Sequence, residues 1–333
     1  MQSKIIFFLV GLSAVASCLV SCSNVEEVIP GKTISFEATL VYENDLKGFA
    51  SGSGMEFYRR NLYLCGDDDA YLWSITSENQ LDRLIQLWDT TDRKKGRLNS
   101  KTKPDFEAMT IFPSQIDTSL LIFSSGSKSP QRDIVLQVFP NSLDSVYTHN
   151  GAYFFKWLRN NARLTVKSTN LEGAAMWGDK LILLNRATNE VYLLPQKGVN
   201  QFLTKGDTTS LTLENFSFHL PTIKNDTARF SGASVLDGTN ILLFSASVES
   251  TEDWTDDGGV LGSFIGMIDL TTLDQETPVF SIAPILNKDK TIYLGKVEGL
   301  HGFKSTPNSI EVKAITDNDD GTTQFLIIQL NIP

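Results

Sequence analysis

The chain has 333 residues, of which 41% are hydrophobic and 20% charged, enough for one large domain or two ordinary ones with a real core. Its net charge of −10 comes from 29 basic and 39 acidic residues spread thinly. That distribution has no basic run, which excludes the electropositive stripe that nucleic acid requires. His149, His219 and His301 are scattered, and the chain has no H-E-x-x-H, G-x-S-x-G or P-loop motif. Zincin, nucleophile-elbow and P-loop chemistries are therefore excluded.

The amino terminus reads as a targeting segment. Lys4 supplies a positive start, and residues 5–20 are apolar and rich in small side chains. Leu19-Val20-Ser21-Cys22 fits a lipobox, in which the cysteine is acylated and becomes the new amino terminus. Val15-Ala16-Ser17-Cys18 fits too, with a shorter apolar stretch. The run is shorter than the ~20 residues of a spanning helix. Acyl chains worth ~0.8 kcal/mol per buried methylene would instead make the lipid bilayer a partner. The expected division is a signal peptide over 1–22 with Cys22 lipidated, a tether over 23–32, and a single domain over 33–333. The expected location is the cell envelope, at the outer membrane in preference to the inner, with the domain in the periplasm or at the cell surface. Cys65 is then the sole cysteine of the mature chain, which rules out an internal disulfide and leaves a small buried hydrophobe.

Along the domain, Ile34 to Tyr42 alternates as a strand but precedes any sheet of its own. Five related stretches follow: Ala50-Ser51-Gly52, Phe106-Glu107-Ala108, Leu171-Glu172-Gly173, Phe230-Ser231-Gly232 and Val297-Glu298-Gly299. Each places a polar residue second and Gly or Ala third, at spacings of 56 to 67 residues. After each come a turn and a β-forming run such as Leu181-Ile182-Leu183-Leu184 or Ile241-Leu242-Leu243-Phe244. The repeat predicts an all-β chain, a five-bladed β-propeller with six blades as the alternative. An irregular β-sandwich is the competing architecture. The last unit is one strand short, so the amino-terminal strand is expected to close the last blade. Thr91 to Lys103 reads as a solvated connection, Tyr153 to Leu164 as a short helix in preference to a strand, and Ser247 to Gly262 as a wet acidic loop, with a lid over the funnel as the alternative.

If each motif starts an innermost strand, positions 51, 107, 172, 231 and 298 ring one mouth of the channel. The ends of the second strands return there with Asp67, Asp68, Lys128, Arg186, Glu249 and Asp317 to Asp320. Three carboxylates ~8 Å apart repel by ~2 kcal/mol per pair at an effective dielectric of ~20. Relief must come from a cation, from basic neighbours such as Arg186, Arg229 and Lys296, or from raised pKa values. Oxygen donors favour calcium or magnesium over zinc. The structural alternative has each Glu accepting bonds from backbone N–H groups of the next blade.

The succession of these motifs with Gly66-Asp67-Asp68 resembles the five-bladed propeller family known as SdiA-regulated, which shows serine, glutamate, glutamate, serine and glutamate in the same order. It is also similar to the phytase-like esterase propellers and to bacterial envelope lipoproteins carrying the same L-E-G-A-A element, although Ala108 stands where the pattern has Gly. The resemblance implies calcium at the mouth and no firmly assigned reaction. The leading expectation is a membrane-anchored propeller binding a cation, calcium by preference, at Glu107, Glu172 and Glu298. An unidentified small molecule or envelope protein would be its partner, held by Ser51, Asp67, Asp68, Lys128, Arg186, Arg229, Ser231 and Lys296. The alternative is a metal-dependent hydrolase of phosphoesters or carboxylic esters, with Glu172 or Glu298 as catalytic base.

Overall fold

Short β-forming runs separated by Gly-, Asn- and Asp-bearing turns become antiparallel sheet along nearly the whole domain. The structure, a computed structural model, describes residues 27–28 and 35–333 other than 77–79, 115–116, 141–144, 251–257, 276–277 and 307. The targeting segment with Cys22, the tether beyond its two described residues, and Glu252 to Asp257 of the acidic insertion lie outside the described residues.

Strands Gly52–Tyr58, Asn61–Gly66, Tyr71–Ile75 and Leu81–Gln86 form the first set. Phe106–Phe112, Ser119–Ser124, Val135–Phe139 and Ser145–His149 form the second. The third comprises Leu171–Trp177, Lys180–Asn185, Glu190–Pro195 and Glu214–Phe218, with Glu27–Val28 of the expected tether added as a fifth strand parallel to Glu214–Phe218. Eight further strands make one sheet from two sets, and two short hairpins, Arg93–Lys94 with Arg97–Leu98 and Thr222–Ile223 with Asp226–Thr227, stand apart from it. One is Arg229–Val235, Ile241–Ser250, Gly259–Asp269 and Phe280–Leu286, and the other is Val297–Thr306, Ser309–Thr316, Gln324–Asn331 and Glu37–Asp45. They join where Ala38 and Thr39 run parallel to Ile285 and Leu286. The amino-terminal strand thus completes the carboxy-terminal set by pairing with Gln324–Asn331. It leaves that sheet no unpaired edge at this point.

The first strand of each set packs on the first strand of the next, and Val297–Thr306 packs back on Gly52–Tyr58. This closed ring of sheets is a β-propeller. Every interface between successive sheets carries its own apolar cluster. Tyr63 and Met109 lie in one, Phe123 and Leu183 in another, Phe230 and Ile182 in a third. Leu243 and Leu300 occupy the fourth, and Leu64 and Phe325 the junction between the chain ends.

Four of the five repeated motifs carry a β-bulge at their second place. Pairing jumps from Phe106 to Ala108, from Leu171 to Gly173 and from Phe230 to Gly232, leaving Glu107, Glu172 and Ser231 outside the ladder. The jump from Val297 to Leu300 frees Glu298 in the same way. A bulge bends the strand and re-aims the extra side chain, here toward the axis. The first unit bulges between Gly52 and Gly54, so its bulged residue is Ser53, two places beyond the expected Ser51.

Crowding at the axis explains the third place of the motif. A Cβ on Gly173 would lie 3.0 Å from the Cβ of Ala233, and one on Gly299 would lie 2.9 Å from the amide nitrogen of Met55. On Gly232 it would come within 1.8 Å of the Glu298 carbonyl oxygen. Gly232→Ala must therefore push the neighbouring inner strand outward. We expect it to cost about 3 kcal/mol in urea unfolding. The same change at Gly178, where a Cβ has open space but φ is +56°, should cost only about 1 kcal/mol.

Three local expectations change on folding. Helix Gly151–Ala162 forms as expected but buries Phe154, Phe155 and Leu158, with Tyr153 facing solvent. Helix Gln196–Lys205 was not expected, and it buries Val199, Phe202 and Leu203. Thr91 to Lys103 is no plain connection: it carries a hairpin, Arg93–Lys94 paired with Arg97–Leu98, that leans over the channel mouth.

Candidate functional site

The bulges at Glu107, Glu172 and Glu298 and the ends of the adjoining strands open onto one funnel of about 1130 Å³. Its floor holds Glu107, Glu172 and Glu298, which can present carboxylate oxygens within 4.8 Å of one another. Asp67, Asp105 and Glu107 form a second such group, sharing Glu107 with the first. Asp105, at the residue before Phe106 and with φ of +64°, is a site residue that the motif reading missed. The only signal for it was its place two residues ahead of the bulge.

Fixed cations sit on either side. Lys103 Nζ pairs with Asp67, with Asp68 at 3.0 Å and with Asp105 at 3.1 Å. Arg97 binds Asp68, and Arg132 reaches Asp105 at 2.6 Å. On the other side Lys296 Nζ lies 3.2 Å from Glu298, 3.3 Å from Glu249 and 3.3 Å from Asp319. Arg186 pairs with Glu249 at 2.9 Å and stands 4.0 Å from Glu172. Glu172 also accepts a bond of 2.6 Å from Asn170, whose backbone is held by the Asn185 side chain. Glu107 differs: it is 8% exposed and has no hydrogen bond or ion pair among the described residues.

These surroundings decide the protonation of the floor. Burial pushes Glu107 well above the usual carboxylate range, reinforced by Glu172, Asp105, Asp67 and Glu298. Burial raises Glu172 to about 8 against the pull of Arg186, and Glu298 to about 7 against that of Lys296. Asp67 and Asp317 are each lifted to about 7 by burial. Glu249, although buried, is held below its ordinary value by Arg186 and Lys296. Carboxylates at the centre of the floor therefore outnumber the charges available to balance them.

Of the residues expected at the mouth, Asp67, Asp68, Glu107, Glu172, Arg186, Lys296 and Glu298 line the funnel, joined by Glu249 and Asp317. Four others do not line it. Ser51 is fully buried behind Asp68, 3.3 Å from that carboxylate, because the first bulge lies two residues later. Ser231 donates to the Val297 carbonyl at 2.6 Å and so ties neighbouring inner strands together. Arg229 donates to the Ala187 carbonyl at 3.1 Å, and Lys128 is exposed on an outer loop. Lys94, Lys95 and Lys101 of the hairpin segment line the funnel instead, with no ion pair among the described residues.

A second polar layer lies three residues further along the inner strands. His301 Nδ1 is 3.0 Å from Glu56 and 3.3 Å from Ser234, all three buried. Glu56 accepts the backbone N–H of Ile111 at 3.1 Å, which fixes it between inner strands. Cys65 is buried, and burial pushes its thiol up to about 12, so it is no nucleophile. Among the described residues, no helix is long and apolar enough to cross a membrane.

Several solved structures match this chain over most of its length at low identity. Glutaminyl cyclase of Myxococcus xanthus matches with a TM-score of 0.48 and 9% identity, over 91% of this chain and 100% of that one. Arabinanase Arb43A of Bacillus subtilis matches with 0.44 and 12%, over 86% and 96%. The PQQ-bound aldose sugar dehydrogenase of Streptomyces coelicolor matches with 0.41 and 10%, over 91% and 100%. No curated protein sequence matches the chain. A family model does match, over residues 48–331, and so spans all the bulged motifs and the whole funnel. The chain belongs to the family of unknown function DUF6929.

Proposed function

We propose that this propeller, read as five blades, binds one divalent cation, calcium by its donor chemistry, through Glu107, Glu172 and Glu298, with a small polar ligand in the funnel above. The observation that carries this reading is Glu107, a buried carboxylate without a partner among the described residues, beside two others whose oxygens come within 4.8 Å. Oxygens on opposite sides of a calcium ion lie about 5 Å apart, so the spacing fits, and water can fill the remaining positions. All-oxygen donors disfavour zinc. Bound calcium would supply the positive charge that the floor lacks and could polarise an oxygen of the ligand. Calorimetric titration of purified protein with calcium chloride at pH 8 should give one site. Absence of any heat or retained metal would reject the assignment.

A hydrolase is the second reading, favoured by Glu172 and Glu298 exchanging protons near neutral pH. An anionic substrate group would meet Lys94, Lys95 and Lys101, since Arg186 is committed to Glu249. A phosphatase and esterase panel with and without calcium separates the two readings: turnover abolished by Glu172→Gln favours the enzyme, and inactivity with metal bound favours the binder. The resemblance to SdiA-regulated and phytase-like propellers is compatible with either.

The lipobox adds an envelope location through acylated Cys22. Cys22→Ser should abolish labelling by fatty acid and move the protein from the membrane fraction to the soluble one. Cys18→Ser should leave both unchanged, and loss of the label in Cys18→Ser alone would shift the anchor to that residue.

A further inference from the structure

Two groups of three carboxylates overlap at Glu107, but they are not equivalent. In the group of Glu107, Glu172 and Glu298 no ammonium lies at the centre: Lys296 touches only Glu298, and Arg186 stands 4.0 Å from Glu172. In the group of Asp67, Asp105 and Glu107, Lys103 Nζ lies among the acids, paired with Asp67, Asp68 and Asp105. An ammonium has only three N–H bonds, and three carboxylates already crowd this one. Asp67 Oδ1, itself buried, is left without a hydrogen bond, and so is Glu107. The position thus has more oxygen donors than its lysine can satisfy, which is the character of a metal position rather than of a closed ion pair.

We propose that Lys103 is a tethered cation filling the first of two adjacent cation positions, so that the native protein takes one divalent ion where the carboxylates alone would hold two, with Glu107 between them. The proposal rests on the central calcium position for the count of one, but not for the role of Lys103. The side chain comes from the hairpin segment, and that segment is fixed to three places. Leu98 N donates to the Asp68 carbonyl at 2.8 Å, Arg97 reaches the Asp319 carbonyl at 3.3 Å, and Gln131 binds the carbonyl of Lys101. Lys103 is therefore delivered to the acids by a braced element and is 9% exposed. A free divalent ion competing for the same oxygens would have to displace a buried, tethered charge.

The test compares calcium stoichiometry in purified full chain by equilibrium dialysis with elemental analysis. The native protein should hold one ion, Lys103→Met two, and Lys103→Arg one. A folded Lys103→Met that binds the same number of ions as the native protein overturns the proposal, as does native protein that binds two. Native protein with no ion and Lys103→Met with one would retain the role of Lys103 while rejecting the central calcium position. If Lys103→Met does not fold, the double variant Lys103→Met/Asp68→Asn removes the surplus charge while keeping Asp67, Asp105 and Glu107. A second calcium ion in that variant supports the proposal, and its absence overturns it.

Discussion

Replacing Glu107 by Gln is expected to weaken the proposed calcium binding by roughly 100-fold or more, because it removes from the proposed donor set the shared carboxylate that has no partner among the described residues. The same change should raise the stability of the metal-free protein at pH 8, since the repulsion from Glu172, Asp105, Asp67 and Glu298 disappears. Opposite signs for binding and stability distinguish a site residue from a packing residue. Thermal unfolding with and without calcium reads both. A Glu107→Gln protein that loses stability without metal, and keeps its calcium-induced shift, would remove Glu107 from the site.

The pH dependence follows from the same carboxyls. Their values in the folded protein, about 7 for Glu298 and Asp67 and about 8 for Glu172, lie above the ~4 of an unfolded chain. Between those limits the folded state binds more protons than the unfolded one, so metal-free stability must fall as pH rises from about 4 to 8. Each such group contributes up to about 1.4 kcal/mol per pH unit within its own window. Calcium needs the deprotonated forms, so its affinity and its stabilising effect should grow over the same window. Below pH 4 the direction reverses, as Glu249 and Asp68, both held low by their basic partners, become protonated.

Arg186→Met is expected to cost about 3 kcal/mol at pH 8, because it leaves buried Glu249 with Lys296 as its one remaining ion-pair partner among the described residues and removes the nearest cation from Glu172. Lowering the pH to 5 should restore part of the loss as Glu172 takes up its proton. Lys180→Met breaks an ion pair of similar length, 2.9 Å to Glu214, but an exposed one. It should change stability by less than about 1 kcal/mol. Equal effects of the two substitutions in urea would show that the funnel charges are solvated, and the electrostatic account of the site would fail.

The repeat and the strand pattern were legible in the sequence because both are local. Alternating apolar runs, Gly-bearing turns and the polar-then-small motif each span only a few residues, and they recur in every set of strands. The missing last strand was legible too, since counting strands needs no coordinates, and Glu37–Asp45 fills that place. The first motif shows the limit of such reading. Ser51-Gly52 and Ser53-Gly54 both satisfy the pattern, and only the pairing of Gly52 with Gly66 and of Gly54 with Cys65 puts the bulge at Ser53. Helix Gln196–Lys205 offered Val199, Phe202 and Leu203 at helical spacing, but Gly198 inside so short a run weakened the signal.

Sequence alone settled that glutamates from separate units belong to one recurring position, because the bulge that re-aims them is written into each motif. Which charges answer those glutamates was decided only by the tertiary structure. Lys103 meets Asp67 from 36 residues away, Arg186 meets Glu249 across two sheets, and Arg229, closer in sequence to Ser231, turns to a carbonyl instead. Ion pairing depends on distance in space, and ring closure sets those distances through contacts that no single motif encodes.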